Sequence, residues 1–300
     1  MTTRRYATAD ALKRALEARL AKETKQSGEK IQRLRQLVVF DRFLARLQAV
    51  FHGRVVVKGG VALELRLAHA RATKDIDANV VGAVDRVADD LLAAAQLDLG
   101  DWFQFILAPN REHPKIVGDG VRYGGVRFRG EARLGGTIYG SAFGVDVEIG
   151  PSIVGQPDML ETRPFFDFAG LAPTAVPAIN RETHVAEKLH AYTQPRPRPN
   201  SRVKDLPDLA LLAMTGPMEA ARIRRAIRSV FSARGTHEVP GQLPSPLPDW
   251  AAPYARIATQ NQLPWPTLAA VTSAASRFID PVLAGYDGMW SPLAWSWIVP

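Results

Sequence analysis

Leucines recur at helical spacing near the start of the chain, with Leu12, Leu16 and Leu20 set among Lys13, Arg14 and Arg19. Apolar residues three or four apart share one helix face, so the pattern predicts an amphipathic helix over about 10–25, with Asp10 as its cap. Ser27 is placed to cap a second, longer helix to about residue 50, whose stripe runs through Ile31, Leu34, Leu37, Val38, Leu44 and Leu47. Its other face carries Arg33, Arg35, Arg42 and Arg46, which reads as a solvated face before an RNA-contacting one. The rhythm then changes. Residues 54–58 form an apolar strand, Gly59-Gly60 a turn, and 61–69 a helix with Leu63, Leu65 and Leu67 as its contacts. A second strand covers 73–80 and a helix 85–99. Alternation of period two marks strands at 126–134 and 141–149, punctuated by Gly135-Gly136 and Gly150-Pro151. This order describes an α/β domain with a mixed sheet over residues 1–155.

The remainder, 156–300, reads as mainly helical. An Asn180-capped helix over 180–192 is cut by Pro195-Arg-Pro-Arg-Pro199, since alternating prolines cannot propagate a helix. Helical patterns return at 206–214, 217–231 and 267–283. A Pro/Gly-rich connection carries Trp250 and Tyr254. The tail holds Trp290, Trp295 and Trp297, a composition suited to a packed closing layer.

Composition narrows the chemistry. With 300 residues and 46% hydrophobic content the chain can bury a substantial core. Cysteine is absent, which excludes disulfides, zinc thiolate sites and cysteine nucleophiles. No apolar run is long enough to cross a bilayer, and Thr2-Thr-Arg-Arg5 leads into a charged helix instead of a signal peptide; the expected location is cytoplasmic, without a membrane partner. The formal charge of +8 rests largely on arginine and is compatible with a polyanionic partner.

Asp75 and Asp77 are two apart on a strand, so both carboxylates point to one side. Such a pair repels itself and loses solvation, which makes it a poor core element. It becomes favourable when a divalent cation such as Mg²⁺ or Mn²⁺ sits between the carboxylates, with nucleotide phosphates beyond it. Gly59 and Gly60 stand where a strand turns into a helix, so backbone amides are offered to a phosphate. Neither the glycine spacing of a dinucleotide fold nor a GxxxxGK[ST] loop is present. Phe143-Gly-Val-Asp-Val-Glu-Ile149 supplies Asp146 and Glu148; Asp146 is the preferred third carboxylate, with Glu148 close behind. Lys188, a turn beyond His184, is placed to reach a triphosphate. Arg202, Lys204, Asp205 and Asp208 crowd into a few residues, and a salt-bridged cap with Pro207 in the first turn is their plain explanation.

Lys58-Gly59-Gly60, Thr73-Lys-Asp-Ile-Asp77, Glu187-Lys188 and Lys204-Asp205-Leu-Pro-Asp208 together resemble the nucleotidyltransferase toxins of the AbiEii/AbiGii group, which includes mycobacterial toxins of toxin–antitoxin pairs. The resemblance spans about Leu47 to Trp250. It implies a polymerase-β-like minimal nucleotidyltransferase domain with a helical C-terminal domain. It further implies transfer of nucleotides from an NTP to RNA, for the mycobacterial members the 3′ end of tRNA, which halts translation. Asp75 and Asp77 would then be metal ligands, Lys188 the phosphate contact with Lys58, Gly59 and Gly60, and Asp205 or Asp208 the later essential acid. Pro207 departs from the aromatic residue common between those two acids, so the acid facing the cleft stays open. A cognate antitoxin is implied as partner. The alternatives are a protein nucleotidylyltransferase, which would place NMP on Ser, Thr or Tyr, and a non-catalytic basic RNA-binding protein.

Overall fold

A computed structural model describes residues 5–67, 70–81, 86–116, 124–150, 155–195 and 202–299. Asp85, the end of the helix expected to reach His69, and the proline run at 196–199 lie outside the described residues. Helix α1 (Ala9–Ser27) is capped by Thr8, whose side chain accepts the Ala11 N–H, and it ends at Gly28, whose φ of 73° favours glycine. Ser27 therefore closes α1 and does not cap α2 (Ile31–Phe51), and Asp10 lies inside the first turn. There follow β1 (Val55–Lys58), α3 (Gly59–Arg66), β2 (Asp75–Val80), α4 (Val87–Gln96), β3 (Phe103–Pro109), β4 (Lys115–Ile116), β5 (Gly125–Leu134), β6 (Thr137–Ile149), β7 (Asp158–Glu161) and β8 (Ala175–Ala178). These eight strands form one mixed sheet in the order β3-β5-β6-β2-β1-β8-β7, with β4 beside β5. β2 runs parallel to β6 and antiparallel to β1, and β8 runs parallel to β1.

The sheet thus recruits two strands from beyond residue 155, so the α/β layer extends to Ala178. Both are four residues long, too short to show a period. The pattern also passed over β3, although Phe103, Phe105 and Leu107 face inward while Gln104, Ile106 and Ala108 face out.

Beyond the sheet lie α5 (Arg181–Thr193), α6 (Asp205–Ala213), β9 (Met218–Glu219), α7 (Ala220–Arg234), α8 (Ala251–Asn261), α9 (Leu268–Leu283), β10 (Met289–Ser291) and β11 (Ser296–Ile298). Asn180 caps α5 by accepting the Thr183 N–H. Helix α8 occupies what reads in sequence as a loop, because Pro253 and the flanking prolines mask it. The molecule is therefore a mixed α/β region followed by a mainly helical one.

Each region has its own core. One packs α1, α2 and α4 on a single face of the sheet, with Phe43 against Phe105 and Phe143 at 5.2 and 5.5 Å. The other gathers α5 to α9 and the tail, where Trp290 is fully buried beside Phe278 and donates to the Ala213 carbonyl at 2.8 Å. Helix α3 serves both: Val61 and Ala62 enter the first core and Leu63 the second.

The arginine face of α2 is neither solvated nor free for RNA. Arg46 is fully buried, bidentate to Asp101 at 2.8 and 2.7 Å, and bonded to the carbonyls of Arg42, Leu97 and Phe103. Arg42 pairs with Asp41 at 2.6 Å, and Arg35 with Glu17 at 2.5 Å. A helix-face pattern shows which residues lie together, but Asp101 and Glu17, which neutralise Arg46 and Arg35, come from other elements.

Candidate active site

β1 delivers Lys58 to the end of the strand, and α3 begins at once. Gly59 has φ of 61°, and a Cβ there would overlap the Asp77 carboxylate. A Cβ on Gly60 would lie 2.6 Å from the Thr73 side chain. Both glycines are thus required by the close approach of β2, in addition to any ligand.

Register then assembles a row across four strands. Lys58 is opposite Asp77, Asp77 is beside Asp146, and Asp146 is opposite Arg127. Cross-strand partners point to the same side, so two carboxylates are flanked by two cations. Asp75 lies one step along β2 beside Gly144, whose backbone N–H donates to Asp75 Oδ1 at 3.2 Å. Glu148 stands beside Asn79 and reaches Lys58 Nζ at 2.5 Å. Arg127 Nε donates to Asp146 Oδ2 at 2.9 Å.

The electrostatics follow from this packing. Burial pushes Asp77 up to about 6, against the pull of Lys58 and Lys188, and the like charges of Asp146 and Asp75 add to the rise. Burial likewise raises Asp146, with Arg127 opposing. For Glu148, burial is outweighed by Lys58, which leaves it below the ordinary value. Lys58 loses solvation, yet Glu187 and Glu148 hold its charge.

A second cluster lies deeper. Arg71 is bidentate to Asp208 at 3.0 and 2.9 Å, and Lys188 Nζ contacts Asp208 at 2.8 Å and Asp205 at 3.1 Å. Asp208 is fully buried, and the two cations overcome that burial to hold its carboxyl far below the usual range. Lys188 loses solvation too, and Asp208 and Asp205 keep it charged. Both acids are buried and both bind Lys188, Asp208 also Arg71. His184, one turn before Lys188, is buried, and desolvation with the Lys188 charge depresses it well below the ordinary histidine value.

Arg71 and Glu64 carry no local signal in the sequence, because their partners are distant. The segment leading into β2 is pinned three times. Arg71 binds Asp208 of α6, the Ala72 N–H donates to Asn261 Oδ1 of α8 at 2.9 Å, and the Thr73 N–H donates to Glu64 Oε1 of α3 at 3.2 Å. Glu64 borders a cavity of about 200 Å³ beneath α2 and α3, and burial raises it to about 7 despite Arg33 and Arg71. A carboxyl raised on folding adds stability in full below its unfolded value, and the gain disappears as pH climbs from there through about 7. Glu64→Gln is therefore expected to flatten thermal stability between pH 5 and 8, removing a slope of about 3 kcal/mol. Parallel melting curves for the variant and the wild type across that range would refute this.

Among the described residues no group of three or more Asp, Glu or His side chains forms a ready-made metal site. Mg²⁺ ordinarily takes one or two protein carboxylates and completes its shell with water and substrate phosphate. The Asp75 and Asp77 oxygens suit that demand.

Among solved structures the chain resembles MenT4, a nucleotidyltransferase toxin of Mycobacterium tuberculosis H37Rv, with 17% identity and a TM-score of 0.56 over 90% of this chain and 98% of that one. The JHP933 protein of Helicobacter pylori is more distant, with 12% identity and a TM-score of 0.40 over 83% of this chain and 97% of that one. The first likeness shows a shared fold. No curated protein matches the chain in sequence, and no helix among the described residues is long and apolar enough to cross a membrane. The family described as nucleotidyl transferase AbiEii toxin, type IV TA system, matches residues 42–274, from within α2 into α9 and through every residue of both clusters. The chain belongs to that family of nucleotidyl transferase toxins.

Proposed function

We propose that this protein transfers nucleotides from an NTP to the 3′ end of tRNA and so blocks translation. The observation that carries the reading is the row itself: Asp75 and Asp77 project beside the start of α3, next to lysine charge. The likeness to MenT4 supports it at the level of fold.

Asp75 and Asp77 would hold Mg²⁺ or Mn²⁺, with Asp146 and Glu148 as the acids closest in register. Bound there, the ion lowers the pKa of the attacking hydroxyl and neutralises charge at the α-phosphate. The rest falls to the chain. The first amides of α3 lack intrahelical acceptors and are free to bind the phosphates. Lys188 uses two of its three donors on Asp205 and Asp208, which leaves the third for a phosphate oxygen. Lys58 adds positive charge at the opposite edge of Asp77. A cognate antitoxin completes the reading as the partner of a toxin.

Incubation with Mg²⁺, each labelled NTP in turn and total cellular RNA tests it. Label at the 3′ end of tRNA is expected. Label on protein instead, or on nothing, rejects the proposal.

A further inference from the structure

The helices α1, α2 and α4 cover one face of the sheet only. On the other face β3, β5 and β6 lie open beyond β2: Ile106 is 50% and Ile138 58% exposed, and Arg129 is exposed as well. Ile106 stands opposite Glu131 and Ile138 opposite Arg133, so apolar and charged side chains alternate across this face. Three arginines, Arg127, Arg129 and Arg133, share that side with three acids, Glu131, Asp146 and Glu148. Arg127 is bonded to Asp146 and Arg133 to Glu131, whereas no acid among the described residues lies within ion-pair distance of Arg129.

Register ties this face to the carboxylates. Asp75 is beside Gly144, Gly144 is opposite Arg129, and Arg129 is opposite Ala108. Two strand spacings of ~4.8 Å separate the Asp75 and Arg129 backbones, within reach of a long side chain. Gly144 keeps the way clear, since a Cβ there would sit 2.5 Å from Asp75 Oδ1.

Stereochemistry sets the direction. Displacement at phosphorus runs in line, with the entering oxygen opposite the leaving pyrophosphate. In the proposed reaction the phosphates sit at Gly59-Gly60, on the β1 side of β2. The entering oxygen must then arrive from the side of β2 away from β1, over β6.

We propose that the uncovered face of β3, β5 and β6 seats the single-stranded 3′ end of the acceptor polynucleotide, with Arg129 on a backbone phosphate and the terminal hydroxyl passing over Gly144 to Asp75 and Asp77. This placement rests on the tRNA reading above. Ile106 and Ile138 offer apolar surface to ribose and base. The 3′-oxygen forms its bond to the α-phosphorus, and the bond from that phosphorus to the bridging oxygen breaks. Pyrophosphate leaves with the electron pair, and the hydroxyl proton passes to water.

The test is Arg129→Glu, with Ile138→Asp as a second exposed variant and Arg129→Lys as the conservative one. Binding of fluorescent tRNA is followed across a salt series, and KM is measured separately for tRNA and NTP. Arg129→Glu is expected to raise the tRNA Kd and KM by about tenfold to a hundredfold, with the NTP KM unchanged. The salt slope should fall by about 0.7. Ile138→Asp should move the tRNA constants the same way, and Arg129→Lys should restore most of the loss. If the wild type labels tRNA and Arg129→Glu does so with unchanged tRNA constants and salt slope, the placement alone is wrong. If the wild type labels protein and not RNA, the acceptor reading fails and takes the placement with it.

Discussion

Asp77→Ala is expected to cut nucleotide transfer by roughly a thousandfold or more while the protein stays folded. Asp77 is the centre of the row, flanked by Lys58 and Asp146 and pressed by Gly59. Its ionised carboxylate is disfavoured where it stands, since burial and two neighbouring acids push it up to about 6. Removing it therefore relieves strain on the fold at neutral pH, and Asp77→Asn should melt no lower than the wild type at pH 8. Incorporation of labelled NTP into RNA, set beside melting temperature, gives both halves of the result. Turnover within tenfold of the wild type would remove Asp77 from the chemistry.

Asp208→Ala is expected to cost about 3–5 kcal/mol, because it strands Arg71 as a buried cation and takes one of two carboxylates from Lys188. That is a large share of the 5–15 kcal/mol by which a typical domain is stable, so the urea midpoint should fall steeply. Asp205→Ala should cost less, since Asp205 holds Lys188 alone at close range and Arg202 at 3.7 Å. The double variant Arg71→Met/Asp208→Leu should recover much of the lost stability, as apolar replacement of a buried pair commonly does. Activity should not return with it. Arg71 and Asp208 join α6 to the segment that carries Asp75, so the double variant keeps a fold but loosens the position of β2. A double-mutant cycle separates these effects: coupling near zero between Arg71 and Asp208 would contradict the structure.

The two clusters differ in how far the sequence reveals them. Asp75 and Asp77 are legible because a strand repeats every two residues, and Gly59-Gly60 because a strand passes directly into a helix. Asp146 and Glu148 are visible as a same-face pair, yet their place beside Asp77 and Asn79 depends on β6 pairing in parallel with β2 across almost seventy residues. Lys188, Asp205 and Asp208 could be named, but not the fact that the three are bound to one another. Arg42 and Arg46 misled for the same reason: a cationic helix face looks alike whether water or Asp101 waits opposite it.

What the chain fixes by itself is local. It dictates helices and strands with a clear period, the shared face of Asp75 and Asp77, the glycine turn beside them, and the absence of cysteine chemistry. The tertiary structure alone decides which charges meet: Lys58 with Glu148, Arg127 with Asp146, and Arg71 and Lys188 with Asp208. The physical reason is that periodicity acts through neighbouring backbone dihedrals, whereas ion pairs form wherever folding brings opposite charges within a few ångströms, whatever their separation along the chain.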